Sequence, residues 1–198
     1  MGLELEYING QTPIEEEEIQ GLLINTITTR GELDEFEQKN IEEAIQWTMQ
    51  RSFKKEMVLT ESFIRSLHKR MYGKVWAWAG KFRKTERNIG INSKQISVSL
   101  KNLLDDTLFW LENNTYPPDE IAVRFKHRLV SIHCFPNGNG RHSRLMADII
   151  IEKICKEPRF TWGEGDLSKK SQIRDEYIAA VKEADKNNYQ PLLAFARS

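Results

Sequence analysis

The sequence is short of the features that mark several protein classes. Its 198 residues include two cysteines, Cys134 and Cys155, too few for a disulfide framework, so a reducing, cytoplasmic setting is expected. Apolar runs are brief, as in Ile149-Ile150-Ile151, against the ~20 residues of a membrane-spanning helix, so no membrane association is expected. The first residues lack a basic stretch followed by an apolar one, which argues against a signal peptide. Gly2 is followed by Glu6 where a myristoylation motif has Ser or Thr. Repeats and low-complexity tracts are absent. So is the alternation of basic and aromatic residues that would suggest nucleic acid as a partner.

Net charge is also lacking, with 29 basic and 29 acidic side chains, but the balance is uneven along the chain. Residues 1–50 carry twelve acids against two basic side chains, and the remainder seventeen against twenty-seven. This division suggests an acidic N-terminal extension, residues 1–50, folding back on a basic core domain, residues 51–198, that binds an anion. Hydrophobic residues make up 39%, enough to bury a core.

Helical periodicity dominates. The spacing predicts helices over Asp34–Arg51, with Phe36, Ile41, Ala44, Ile45 and Met49 apolar, and over Glu61–Met71 and Leu100–Glu112. Further helices are expected from Asp119 to about His133, over Arg141–Lys156, Ser168–Ala184 and Pro191–Ala196. The Arg141–Lys156 segment is apolar on most sides and should be central. Residues 85–98 alternate apolar and polar around an Asn/Gly/Ser turn, which reads as a short hairpin serving as a flap. An irregular loop is the alternative.

Four of residues 136–140 are Asn or Gly, with Pro136 leading, between two strong helices. Such residues tolerate positive φ, so the chain can curl until its N–H groups point inward and then open into a helix N-terminus, an anion cradle. Arg141 and Arg144 lie on the first turn of that helix, where two cations are unfavourable without an anion; a polyphosphate satisfies guanidinium groups well. His133 ends the preceding helix, where a neutral imidazole can take a proton from an incoming hydroxyl. The loop is not a P-loop, since no Lys-Ser/Thr follows its glycines. His133, Cys134 and His142 lack zinc-ligand spacing, and Cys134 beside Phe135 is expected to face the core.

His133, Phe135, Gly138, Asn139, Gly140, Arg141 and Arg144 match the motif His-x-Phe-x-(Asp/Glu)-Gly-Asn-Gly-(Arg/Lys)-x-x-Arg, and the chain resembles the Fic family. Trp78-Ala79-Gly80-Lys81-Phe82-Arg83 and Asn188-Tyr189-Gln190-Pro191-Leu192 look like segments flanking that family's flap and closing its core. Within the family the chain looks most like the bacterial group called mobile mystery protein B. The resemblance implies a mainly α fold, a Fic-type helical bundle with a short β-hairpin flap. It also implies transfer of AMP from ATP, with Mg²⁺, to a Ser, Thr or Tyr hydroxyl of a target protein, itself included. In that reading His133 is the general base and the backbone of Gly138 to Gly140 forms the anion hole. Asn139, Arg141 and Arg144 hold phosphates, and the flap around Arg87, Asn88, Ile89 and Gly90 docks the target by strand pairing.

Asn137 stands where the family has a magnesium-binding acid, and a neutral amide is a weaker ligand for that cation. A low-turnover nucleotide-binding regulator, or a toxin–antitoxin-type partner protein, is therefore the alternative function. The family's inhibitory pattern, (Ser/Thr)-x-x-x-Glu-(Gly/Asn), is partly matched by Thr28-Thr29-Arg30-Gly31-Glu32-Leu33. That match makes Glu32 an inhibitory candidate directed at Arg144, against the alternative that it caps the helix after it.

Overall fold

Thr29 starts the first long helix of the chain. Its hydroxyl accepts the Glu32 N–H, and the Glu32 carboxylate returns to the backbone N–H groups of Thr28 and Thr29 at 2.8 and 3.1 Å. This reciprocal cap satisfies donors that a helix start leaves unpaired. The computed structural model describes residues 16–164 and 171–198. In chain order the helices are α1 (Glu16–Ile19), α2 (Arg30–Met49), α3 (Lys55–Val58), α4 (Glu61–Tyr72), α5 (Ile96–Asn113), α6 (Pro118–Ile132), α7 (Asn139–Ile149), α8 (Gln172–Asp185) and α9 (Gln190–Arg197). None of the helices is long and apolar enough to cross a membrane among the described residues.

α2 begins four residues before the position the sequence suggested, and its buried face differs from the expected one. Leu33, Glu37, Asn40, Ile41, Ala44 and Thr48 are buried, whereas Phe36 and Met49 are exposed. Polar Glu37 and Asn40 go inward because each has partners there. The Asn40 side chain donates to the Arg70 carbonyl at 2.8 Å and accepts the Lys74 N–H at 3.0 Å, which ties α2 to the end of α4. Leu33, Ile41 and Ala44 join the same hydrophobic cluster as the buried residues of the later helices.

α6 and α7 pack along each other at the centre, with α4 and α5 beside them and α9 against α6. Phe125, Met146, Ala147, Ile150 and Ile151 are fully buried. Pro118 stands in the first turn of α6 with Asp119 and Glu120, residues suited to a helix start. The long helix expected to begin at Arg141 starts two residues earlier. It widens into a π-helical stretch over Ile150–Ile154, where the Cys155 N–H reaches back to the Ile150 carbonyl. For α8, the expected start at Ser168 lies outside the described residues; Ser171 caps the helix by accepting the Arg174 N–H.

The expected hairpin is not a strand ladder. Among the described residues of segment 85–98 there is no strand; residues 85–92 form a hooked loop, Ser93–Gln95 a 3₁₀ turn, and Ile96 already begins α5. Asn92 explains the difference, because its side-chain oxygen caps the turn by accepting the Lys94 N–H at 3.0 Å. Ile96 then falls on the α5 face that also buries Leu100, Leu103, Leu104 and Thr107, so the apparent alternation was the edge of a helix stripe.

Candidate active site

The site is built where α6 stops and α7 begins. His133 ends α6 in the left-handed region, φ 56° and ψ 59°, a conformation that disfavours a non-glycine residue by about 1–2 kcal/mol and turns the chain sharply. Phe135, fully buried, stacks on the His68 ring at 3.7 Å between centroids. The Asn139 side chain closes the loop on itself, accepting the Phe135 N–H at 2.9 Å and donating to the Phe135 carbonyl at 2.7 Å. Gly138, φ 78°, admits no side chain, because a Cβ there would lie 2.5 Å from the Tyr72 ring. The first intrahelical bond of α7 runs from His142 N–H to the Gly138 carbonyl, so the amides of Asn139, Gly140 and Arg141 have no acceptor within the helix. The loop thus opens into a helix start with unpaired donors.

His68 was not singled out in the sequence, yet it positions the loop from behind. Its Nδ1 accepts the Gly80 N–H at 3.1 Å, which leaves the proton on Nε2, and Nε2 donates to the Asn137 carbonyl at 3.0 Å. Burial, with His142 and Arg141 nearby, keeps this imidazole neutral, well below its ordinary pKa. His133 is neutral too: burial, then the charges of Arg83 and Arg87, push it down to about 4. An imidazole in that state carries a lone pair at neutral pH, as a proton acceptor must. Cys134 is buried and its thiol is pushed up to about 12, chiefly by burial, so it is no nucleophile.

Arg83, also unremarked as a site residue, pins the flap loop to His133. Its Nε donates to the His133 carbonyl at 2.6 Å, and its other nitrogens reach the carbonyls of Thr85 and Ile91. Gly90 approaches so closely that a Cβ there would meet the His133 Cβ at 2.6 Å. Ile89 and Gly90 border the pocket, and Asn88 and Ile89 are exposed. Arg87 behaves otherwise than expected of a docking residue, since its side chain is buried in an ion pair with Glu18.

The pocket has a volume of about 510 Å³. His133 and the Asn137–Arg141 loop line it, as do Arg144, Arg174 and Tyr177. Val130, Ile178 and Val181 supply apolar wall, and Arg30 and Asp34 reach it from the start of α2. Arg141 pairs with Glu37 at 2.8 Å, and Glu37 also accepts the Trp76 indole N–H at 2.7 Å. Together the lining favours an anion with an apolar part.

Three expectations change at this point. Glu32 is exposed and serves as the cap of α2; it does not line the pocket, so the capping alternative describes it. The Asn139 side chain braces the loop, which leaves its backbone N–H, not its amide group, on the cradle. The Asn137 side-chain oxygen accepts the Gly138 N–H at 2.6 Å, and no cluster of three His, Cys, Asp or Glu residues suited to a metal exists among the described residues.

Comparison with known proteins gives the same picture. "Protein adenylyltransferase Fic" of Drosophila grimshawi is 27% identical over 148 residues, covering 73% of this chain and 29% of that protein. The chain therefore spans about a third of the length of such curated relatives. Among solved structures, the N-terminal Fic domain of a putative cell filamentation protein from Bartonella quintana matches with a TM-score of 0.68 at 18% identity, covering 93% of this chain and 91% of that one. The BepC protein of Bartonella tribocorum, solved with bound AMPPNP, matches with a TM-score of 0.64 at 19% identity, over 92% and 97% of the two chains. These likenesses fix the fold as the Fic fold, and the Fic/DOC family model matches residues 58–151. Over those residues the chain is similar to the Fic/DOC family.

Proposed function

We propose that the protein is a protein adenylyltransferase that moves AMP from ATP to a Ser, Thr or Tyr hydroxyl of a target protein. One observation carries this reading: a neutral His133 stands beside the open N-terminus of α7, with Arg141 on its first turn and Arg144 on its second. The target hydroxyl oxygen attacks the α-phosphorus while His133 takes its proton. The bond from that phosphorus to the bridging oxygen breaks, and pyrophosphate leaves. The backbone amides of α7 and the two arginines offset the charge that develops on the phosphates. Ile89 and Gly90, beside His133, border the side from which a target segment would enter.

Magnesium enters as a companion of ATP. The residues at hand do not form a resident site for it, since Asn137 offers a neutral amide oxygen already bonded to Gly138. That same observation favours a second reading, a nucleotide-binding regulator with little turnover. Intact-mass analysis after incubation with ATP and magnesium, with and without candidate targets, separates the two. Gain of one adenylyl group on a target or on the protein supports the transferase, and bound nucleotide with no covalent gain supports the regulator.

A further inference from the structure

Against the pocket-lining Tyr177 lies a lysine that the reaction above does not use. Lys126, on α6, is completely buried, and its ammonium faces the Tyr177 side chain. It sits 4.5 Å from the centroid of the Tyr177 ring. The Arg144 guanidinium carbon lies 5.3 Å from the same centroid, and Tyr177 itself lines the cavity. A buried ammonium and the arginine that faces the pocket thus share one tyrosine. A buried ammonium is destabilising by several kcal/mol unless it is compensated, and the Tyr177 side chain supplies that compensation. Cation–π attraction to the ring supplies part of it.

We propose that Tyr177, backed by Lys126, is a positioning residue for the outer phosphates: it holds Arg144 toward the cavity, and the charge on its hydroxyl sets how strongly those phosphates bind. The inference rests on the nucleotide reading above and deepens it. Three helices converge on the phenol with charge. Lys126 comes from α6, Arg144 from α7 and Arg174 from one turn earlier on α8, while α9 contributes only the Phe195 ring, 5.4 Å away. Asp185 acts on Lys126 from the far end of α8, and Arg144 also feels buried Asp148. Burial alone would raise the Tyr177 phenol, but Lys126 and Arg144 outweigh it and hold the group at about 8.

The sign follows from that value. Below about 8 the phenol is neutral and both cations act on the phosphates. Above it a phenolate partners the cations and repels the nucleotide, so ATP affinity falls as pH rises. AMP, lacking the outer phosphates, should be nearly insensitive.

The test is calorimetric titration of ATP and AMP at pH 7 and pH 9, on the wild type, Tyr177→Phe and Lys126→Met, all in the same magnesium concentration. The wild type should lose up to about tenfold in ATP affinity over that range, with AMP unchanged. Tyr177→Phe keeps the ring but removes the hydroxyl that Arg144 and Lys126 bond to; with Arg144 no longer held, it should bind ATP several-fold more weakly at pH 7 and show a flat profile. Lys126→Met should shift the fall to higher pH. The ultraviolet tyrosinate band supplies a readout independent of activity: the wild type minus Tyr177→Phe should titrate near 8. Equal ATP affinity and equal pH dependence in the wild type and Tyr177→Phe would overturn the positioning role while leaving nucleotide binding intact. A wild type that binds neither nucleotide would overturn the nucleotide reading and this inference with it.

Discussion

Arg141, on the first turn of α7, is tied at 2.8 Å to Glu37, whose side chain is only 3% exposed. The contact joins the acidic N-terminal part of the chain to the Asn137–Arg141 loop, about a hundred residues later. Glu37 is itself oriented by the Trp76 indole N–H, so the arginine is aimed by a carboxylate with one fixed geometry. Glu37→Gln keeps the indole bond and removes the charge. Breaking one side of a buried pair typically costs 3–5 kcal/mol. With Arg141 partly open to water, a loss of about 2–3 kcal/mol in urea unfolding is expected, together with weaker ATP binding.

Glu32 should behave as a cap. Glu32→Gly is expected to lower the melting temperature and leave the rate of transfer unchanged; a raised rate would restore its inhibitory role. Thr29→Ala, which removes the other half of the capping box, should cost about 1 kcal/mol. The backbone N–H groups of Thr28 and Thr29 hold the Glu32 carboxyl below its ordinary range. A depressed carboxyl stabilises fully above its unfolded pKa. This contribution therefore persists at neutral pH and fades as pH falls through the lowered value.

Asn139 carries the shape of the cradle. Asn139→Ala leaves the Phe135 N–H and carbonyl, both buried, without their partners. A loss of about 2–4 kcal/mol is expected from the two unsatisfied groups, seen in chemical denaturation. Nucleotide binding should disappear as the loop opens, with Phe135 and His133 displaced.

Asn137 decides between the two functional readings. An Asp there still accepts the Gly138 N–H but adds a charged oxygen, a stronger ligand for magnesium. Asn137→Asp should raise transfer in magnesium and make the rate depend more steeply on its concentration. An unchanged or lower rate would mean that residue 137 acts by shaping the loop.

The centre of the site was legible because it is local. Helix period, the Asn/Gly run and the paired arginines all lie within a dozen residues, and Gly138 and His133 take the left-handed conformations that such a turn requires. The braces were not legible. His68 reaches the loop from 69 positions away, and Arg83 reaches His133 from 50. On a helix read for its apolar stripe, Glu37 looked like one more solvated acid. Segment 85–98 misled for a related reason: Ile89, Ile91, Ile96 and Val98 alternate with polar residues, but Asn92 caps a turn between them and the last two belong to α5. Side-chain bonds across the chain overrode the local pattern at each of these points.

The central claim is that neutral His133 accepts the proton of the attacking hydroxyl, and it is tested most directly by transfer measured against pH in the wild type and His133→Ala. With the imidazole at about 4, the base is ready throughout the neutral range. The wild-type rate should stay level from neutral pH downward and fall only as pH approaches 4, where the imidazole gains its proton. His133→Ala should lose about 10²–10⁴-fold in transfer rate and still bind ATP like the wild type. Full turnover in that variant, at any pH, would contradict the account.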